Sequence, residues 1–174
     1  IGTVPAAWWF RHQLVRLVHR VGRDPRWETV LGVAPDAGIA SRALPALPRF
    51  AQGPGDLGDR MGRALCGLPP GPVVIIGGDI PGIVSHHIAA AFRGLGRHEA
   101  VVGPAPDGGY WLIGMRRGGH AIPARLFEGV RWSTEHALAD TLATLGGLSV
   151  GRVATLADVD TARDLPPAEI RAPL

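Results

Sequence analysis

Two aspartates in this sequence each follow a short apolar run with the character of a buried β-strand. Asp79 follows the run Val73 to Gly78, and Asp107 follows the segment Glu99 to Pro104. A continuous apolar run is typical of a strand that is buried on both faces of a parallel sheet. Ligands of open α/β sheets bind beyond the carboxyl ends of the strands, so these positions predict an active site that contains both aspartates.

The residues around Asp79 suit a bound cation. Two glycines precede this aspartate and leave room for a phosphate or a metal ion, and Pro81 redirects the chain. Mg²⁺ prefers one or two carboxylates together with oxygen atoms of a substrate phosphate. Asp158 and Asp160 are two residues apart, so both carboxylates face one side of an extended segment and could grip a cation. Asp79 could instead cap the turn that follows it, and Asp160 could cap the helix that follows it. We favour the metal role for Asp79 and the capping role for Asp160.

Two other segments admit both a structural and a functional interpretation. Asp107-Gly108-Gly109 has the sequence of a tight turn, but it also precedes Tyr110 and Trp111, whose rings could line a pocket. The glycine-rich segment Gln52 to Met61 enters a helix that continues to about Cys66. Its glycines and the helix N-terminus could receive a phosphate, although no Walker lysine is present. The structural alternative there is a helix with Asp56 as its N-cap.

Apolar periodicity predicts an alternation of strands and helices. Further helices are predicted at 6–21, 86–95 and 134–145, and strands at 27–34, 73–78, 99–104, 110–115 and 150–156, while 39–50 is ambiguous. Ser85 and Ser133-Thr134 are predicted helix caps. The alternation predicts one α/β domain over residues 1–174, a sandwich with a mainly parallel sheet, in which 99–104 and 110–115 add an irregular or antiparallel pair.

Composition narrows the class of protein. Among 174 residues, 18 basic residues exceed 15 acidic ones by 3, and every basic one is arginine. The arginines are scattered, which argues against nucleic acid and favours a small anionic substrate. No apolar run is long enough for a membrane span, and no signal peptide is visible. The single cysteine, Cys66, excludes an internal disulfide, and we expect a cytoplasmic protein. His86 and His87 are adjacent on a predicted helix and do not predict a shared metal ion.

Several motifs, in this order, resemble one known family over roughly residues 5–165. They are Gln52 with Gly55-Asp56-Leu57-Gly58-Asp59-Arg60-Met61, Ile75 to Pro81, Gly103 to Gly114, Leu126-Phe127, Trp132-Ser133-Thr134 and Asp158-Val159-Asp160-Thr161. The family is the domain of unknown function 2064, or selenodomain-associated transferase 1. It is similar to nucleotide-diphospho-sugar transferases of the GT-A fold.

The resemblance implies a Rossmann-like GT-A three-layer sandwich and a glycosyltransferase-like enzyme that uses Mg²⁺ or Mn²⁺ and a nucleotide-sugar. It implies that Asp79, with Asp160 or Asp158, holds the metal, and that Asp107 positions or deprotonates an acceptor hydroxyl. The residues implied for the nucleotide are Gln52, Gly55, Asp56, Leu57 and Arg60, and those for the acceptor side are Tyr110, Trp132, Ser133 and Thr134.

Two alternatives remain open beside that function. The first is a nucleotidyltransferase similar to the molybdenum-cofactor and phospholactate guanylyltransferases. The second is a catalytically inactive binding domain. Family members begin with an apolar strand and a lysine-containing loop, and the resemblance implies that this sequence starts after them. A sheet border left unpaired in this way would favour a homodimer.

Overall fold

The computed structural model describes residues 3–117 and 122–157, in which helices and strands alternate. In chain order the elements are α1 (Thr3–Val21), β1 (Leu31–Val33), a 3₁₀ helix (Asp36–Ala40), β2 (Arg49–Ala51), α2 (Leu57–Gly67), β3 (Val73–Ile76), α3 (Ser85–Leu95), β4 (Ala100–Pro104), β5 (Tyr110–Met115), α4 (Ala137–Thr144) and β6 (Val150–Arg152). The order of elements agrees with the periodicity, but the first and last predicted strands are shorter than expected. None of the described helices combines the length and the apolar character that a membrane span requires.

The described strands form two sheets. Strands β1 and β2 form a parallel pair, and the other sheet has the order β3-β5-β4-β6. Strand β5 is antiparallel to both of its neighbours, whereas β6 is parallel to β4. The sheet is therefore mixed, and the prediction of a mainly parallel sheet is wrong. The reason is the short connection from β4 to β5, because a parallel pair needs a crossover of a dozen or more residues. The predicted antiparallel pair is confirmed.

Three strand ends meet at one edge of the larger sheet. Because β3 and β4 are both antiparallel to β5, they run in the same direction, and β6 runs with them. Their carboxyl ends lead into residues 77–79, 105–109 and 153–157 respectively. Neighbouring strands lie about 4.8 Å apart, so the ends of β3 and β4, with β5 between them, are about 10 Å apart.

Helices cover both faces of this sheet. On one face, Leu17 of α1 and Leu95 of α3 pack with Val101 of β4. On the other face, Leu65 of α2 packs with Val102 of β4, together with residues of α4. Successive residues of a strand point to opposite faces, so β4 contributes to both hydrophobic clusters. The arrangement is a three-layer sandwich.

Strand β3 differs from its predicted environment. Its run of four apolar residues predicted burial on both faces, yet each residue of Val73–Ile76 is only half-buried. Within the described part of the chain, β3 pairs with β5 alone and forms the border of the sheet. An apolar run therefore does not distinguish a central strand from a border strand covered by helices.

Two predicted helix caps are also wrong. Ser85 is the first residue of α3, and its hydroxyl donates to the carbonyl of Arg20 at 2.8 Å instead of capping the helix. Thr134 lies in a turn before α4, where its hydroxyl donates to the carbonyl of Arg131 at 2.8 Å and accepts from the N–H of His136 at 3.2 Å. The Ser85 hydroxyl joins two distant segments, which local sequence does not reveal, whereas the Thr134 hydroxyl stabilises the turn before the helix.

Gly103 provides a test of the packing between β4 and β5. A methyl group on Gly103 would lie 2.5 Å from Trp111 Cε2, and Trp111 is only 2% exposed, so the ring has no room to move. We expect Gly103→Ala to lower the free energy of unfolding by about 2 kcal/mol because of overpacking.

Gly62→Ala in α2 is the matched control, since an added methyl there meets nothing within 4 Å. It should raise the free energy of unfolding by about 0.5–1 kcal/mol, as alanine favours helix more than glycine does. Urea denaturation measures both variants. Equal effects at the two positions would contradict the close approach of Trp111 to Gly103.

Candidate active site

Trp111 connects the three strand ends that meet at this edge of the sheet. Its carbonyl accepts a hydrogen bond from the N–H of Gly77 at 3.1 Å, beyond β3. Its indole Nε1 donates to the carbonyl of Ala154 at 2.9 Å, beyond β6. Its ring covers Gly103 near the end of β4. The side chain of Trp111 therefore fixes the ends of β4 and β6, and its backbone carbonyl fixes the segment beyond β3.

Asp79 lies beyond β3 and is half-buried. A Cβ on Gly77 would lie 2.7 Å from Asp79 Oδ1, so the carboxylate lies against the backbone of Gly77. A Cβ on Gly78 would lie 3.3 Å from the ring of Phe10 in α1. The sequence predicts that both glycines leave space for a ligand, but the first accommodates the carboxylate and the second accommodates α1.

Asp107 forms a tight turn between β4 and β5. Its Oδ1 accepts a hydrogen bond from the N–H of Gly109 at 2.9 Å. Gly108 has a φ of 89°, and a Cβ there would lie 2.2 Å from the carbonyl oxygen of Glu135. The turn interpretation of the sequence is confirmed. The turn also holds the exposed carboxylate at the edge of the sheet, where no described residue donates a hydrogen bond to its Oδ2.

The glycine-rich loop before α2 is held by contacts within the protein. The Gln52 amide donates to the carbonyl of Gly32 in β1 at 2.9 Å. The Asp36 carboxylate accepts from the N–H of Gly53 at 3.0 Å, and Arg63 donates to the carbonyls of Gln52, at 2.8 Å, and Pro54. The side chain of Gln52, which the resemblance assigns to the nucleotide, is thus bonded to the neighbouring strand.

The N-terminus of α2 carries a capping box made by two carboxylates. Asp56 Oδ1 accepts from the N–H of Asp59 at 2.9 Å, and Asp59 Oδ2 accepts from the N–H of Asp56 at 3.0 Å. Gly55, with a φ of 97°, passes so close to Asp59 that a Cβ would lie 2.2 Å from its Oδ2. The N-cap alternative for Asp56 is confirmed. A phosphate would have to displace these carboxylates to reach the same N–H groups.

Trp132 lies where helix α2 meets the residues assigned to the acceptor side. The Trp132 ring centroid is 5.9 Å from that of Phe127 and 6.5 Å from that of Tyr110. A Cβ on Gly58 in α2 would lie 2.9 Å from Trp132 Cζ2. Trp132 Nε1 and the Nε of Arg60 are buried and have no hydrogen-bond partner among the described residues. Buried donors are usually paired, so two unpaired donors on neighbouring elements indicate a position where a ligand could accept.

Tyr110 and Ser133 do not share one environment. The Tyr110 hydroxyl lies 3.3 Å from the Thr141 hydroxyl, which is fully buried in α4. Burial raises the pKa of Tyr110 to about 12, and the hydrogen bond to Thr141 opposes this shift. Tyr110 is therefore a core residue whose hydroxyl points to α4. Ser133 is exposed with a φ of 58°, beside Arg131, whose ion pair with Asp140 lowers the pKa of Asp140 to about 2.

Comparison with known proteins agrees with this architecture. The family model described as "Uncharacterized protein conserved in bacteria (DUF2064)" matches residues 17–134. The chain belongs to this family. No protein of curated function matches the sequence.

A solved structure resembles this DUF2064 protein over most of its length. It is the 1.90 Å crystal structure of a protein from Desulfovibrio desulfuricans G20 that is described as a proposed nucleotide-diphospho-sugar transferase. The TM-score is 0.77 at 28% identity, over 92% of this chain and 73% of the other. The family resemblance of the sequence is confirmed, and so is an α/β fold similar to that of the crystallised protein.

The structure leaves the predicted metal site incomplete. Asp158 and Asp160 lie outside the described residues. Within 3–117 and 122–157, no three His, Cys, Asp or Glu side chains are grouped so that they could hold a metal ion. A single carboxylate at a strand end still suits Mg²⁺ or Mn²⁺ when phosphate oxygens supply further ligands.

Sequence reasoning missed the structural roles of Trp111 and Gly58. The sequence did carry a signal for Trp111. Gly103 is an isolated glycine in a strand, and such a glycine often marks the close approach of another group, here the ring of Trp111. Gly58 carried no such signal, since a glycine near a helix N-terminus has several local explanations.

Tyr110 is the single tyrosine of the sequence, so its titration is directly observable. We expect the phenolate absorbance of the folded protein to have its midpoint near pH 12, against about 10 in the chain unfolded by guanidinium. Since the folded pKa is the higher one, the neutral phenol stabilises the fold below pH 10, and this contribution is lost between pH 10 and 12. A midpoint near 10 in the folded protein would place Tyr110 on the surface.

Proposed function

We propose that this DUF2064 protein is a metal-dependent transferase that acts on a nucleotide-activated sugar. The observation that carries the proposal is the similarity, at a TM-score of 0.77 and 28% identity, to a protein described as a proposed nucleotide-diphospho-sugar transferase. The position of Asp79 and Asp107 beyond the carboxyl ends of β3 and β4 supports it, because α/β sheets bind ligands there.

In this proposal Asp79 holds Mg²⁺ or Mn²⁺, with Asp160 or Asp158 as a further ligand. The cation would act as a Lewis acid that neutralises the leaving diphosphate. Asp79 is suited to this role because its carboxylate is half-buried beside a glycine and close to the sheet edge. Partial burial strengthens the attraction between the carboxylate and a cation relative to full exposure in water.

The nucleotide is proposed to lie near the N-terminus of α2. Leu57 is 50% exposed there and offers an apolar contact to a base, while Gly55 keeps the backbone accessible. Arg60 offers its unpaired Nε as a donor. Gln52 and Asp56 act in this proposal by shaping the loop, because their side chains are already bonded to protein.

The acceptor is proposed to lie between Asp107 and Trp132. Asp107 Oδ1 is fixed by Gly109, which leaves Oδ2 to accept a hydrogen bond from the acceptor hydroxyl and to position it or remove its proton. The unpaired Trp132 Nε1 would donate to the acceptor or to the transferred sugar. Exposed Ser133 and Thr134 flank this position, whereas Tyr110 supports the ring of Trp132 from the core.

Asp79→Asn tests the proposal by calorimetry with Mn²⁺ and a panel of UDP-, GDP- and ADP-sugars. The parent chain should bind at least one nucleotide sugar only when Mn²⁺ is present. The variant should bind it at least about tenfold more weakly, which corresponds to about 1.4 kcal/mol. Glu128→Gln is the matched control, since Glu128 is exposed and pairs only with Arg125 among the described residues, and it should bind within about twofold of the parent.

Absence of Mn²⁺-dependent binding of every nucleotide sugar would contradict the proposal. Equal affinities in the parent and Asp79→Asn would remove Asp79 from the metal site. Release of pyrophosphate from a nucleoside triphosphate, measured in a separate turnover assay, would instead identify a nucleotidyltransferase.

A further inference from the structure

A cavity lies between α3 and β6, and none of the residues assigned to the transferase site lines it. Its volume is about 390 Å³, which is within the range of about 300–1,000 Å³ that is usual for small-ligand pockets. Its ionisable lining residues are His86, His87, Arg93, Arg97, His98 and Arg152. All of them are basic, so the cavity has the electrostatic character of an anion site.

The arginines of this cavity differ from those arginines that hold parts of the fold together. Arg49 and Arg117 each donate to several backbone carbonyls, and Arg131 pairs with Asp140. By contrast, the guanidinium groups of Arg93 and Arg97 make no ion pair and no hydrogen bond with any residue that the structure describes, and the same holds for Arg152. Like charges without partners repel each other, so their convergence on one cavity is explained best by an anionic ligand.

Two of these side chains lie on one face of α3 and a third follows the helix. His86 and Arg93 are seven residues apart in α3, the spacing of one helix face, and Arg97 lies two residues beyond the end of the helix. Gly151 forms part of the opposite wall, and a Cβ there would lie 2.6 Å from His98 Cδ2, so the absence of a side chain admits the histidine ring. Burial and the neighbouring His86 lower the pKa of His87, so this ring is neutral at neutral pH.

We propose that the cavity binds a small phosphorylated molecule. Its phosphate or diphosphate would contact Arg93, Arg97 and Arg152, because guanidinium groups bind phosphate through paired, charge-assisted hydrogen bonds. Its uncharged part would cover the apolar surface made by Ala90, Val153 and Ala154. The site is independent of the proposed function, since it uses neither Asp79 nor Asp107.

Calorimetric titration with inorganic phosphate and with phenyl phosphate tests both parts of the site. Phenyl phosphate should bind more tightly, because only its ring can cover the apolar surface. Arg93→Gln and Arg97→Gln should each weaken binding of phenyl phosphate by about tenfold, as expected for loss of one charge-assisted contact. Both arginines are exposed, so the variants should keep the melting temperature of the parent.

Arg42→Gln is the matched control, because it removes the same charge from an exposed residue outside the cavity. It should change the affinity by less than about twofold. An equal loss in this control would show that phenyl phosphate responds only to net charge and would overturn the site. No binding of either probe at millimolar concentration, or equal affinity for both, would also overturn it.

Asp79→Asn separates this inference from the transferase proposal. The variant should bind phenyl phosphate like the parent, even though its binding of nucleotide sugars is lost. Weakened binding of phenyl phosphate in Asp79→Asn would place the probe at the transferase site and contradict the second site. Conversely, failure of all nucleotide sugars to bind would leave the result with phenyl phosphate unaffected.

Discussion

The burial of Trp111 between strand ends is the interaction on which the rest of the site depends. The ring fits against Gly103 because that residue has no side chain. The indole N–H donates to the carbonyl of Ala154, and the backbone carbonyl of Trp111 accepts from the N–H of Gly77. A buried polar group without a partner is costly, so these contacts constrain one another. The segment beyond β6 cannot shift far without leaving the indole N–H unpaired, and β4 cannot carry a side chain at the point of contact.

This constraint fixes the position of the segments beyond the strand ends, in a sheet that the short connection from β4 to β5 makes mixed. Strand β5 is inserted antiparallel between β3 and β4, and its first buried residue is Trp111. The carboxyl ends of β3, β4 and β6 therefore leave the sheet at one edge, although they come from distant parts of the chain. Two of these segments carry a carboxylate, and the two have different neighbours: Asp79 lies beside a glycine and Asp107 lies in a tight turn. Different neighbours allow the two carboxylates to serve different functions.

Local sequence was sufficient for features that depend on neighbouring residues, and insufficient for those that depend on distant ones. The extent of β5 and the N-cap at Asp56 follow from hydrophobic pattern and capping chemistry, and both were predicted. The predicted strand from Trp27 was too long. The Trp27 ring packs against Phe92, and its indole N–H donates to the carbonyl of Val21 in α1. Likewise, the bond from Gln52 to Gly32 joins residues far apart in the chain, so only the fold reveals that this amide is occupied.

The proposed function requires a cation at the edge of the sheet, beside Asp79 and beyond the contacts of Trp111. Anomalous X-ray diffraction from crystals grown with Mn²⁺ and a nucleoside diphosphate tests it most directly. The account predicts one anomalous peak within about 2.0–2.3 Å of an Asp79 carboxylate oxygen, bridged to phosphate oxygens of the nucleotide. A bound nucleotide whose phosphates lie elsewhere, or a manganese peak with no contact to Asp79, would contradict it.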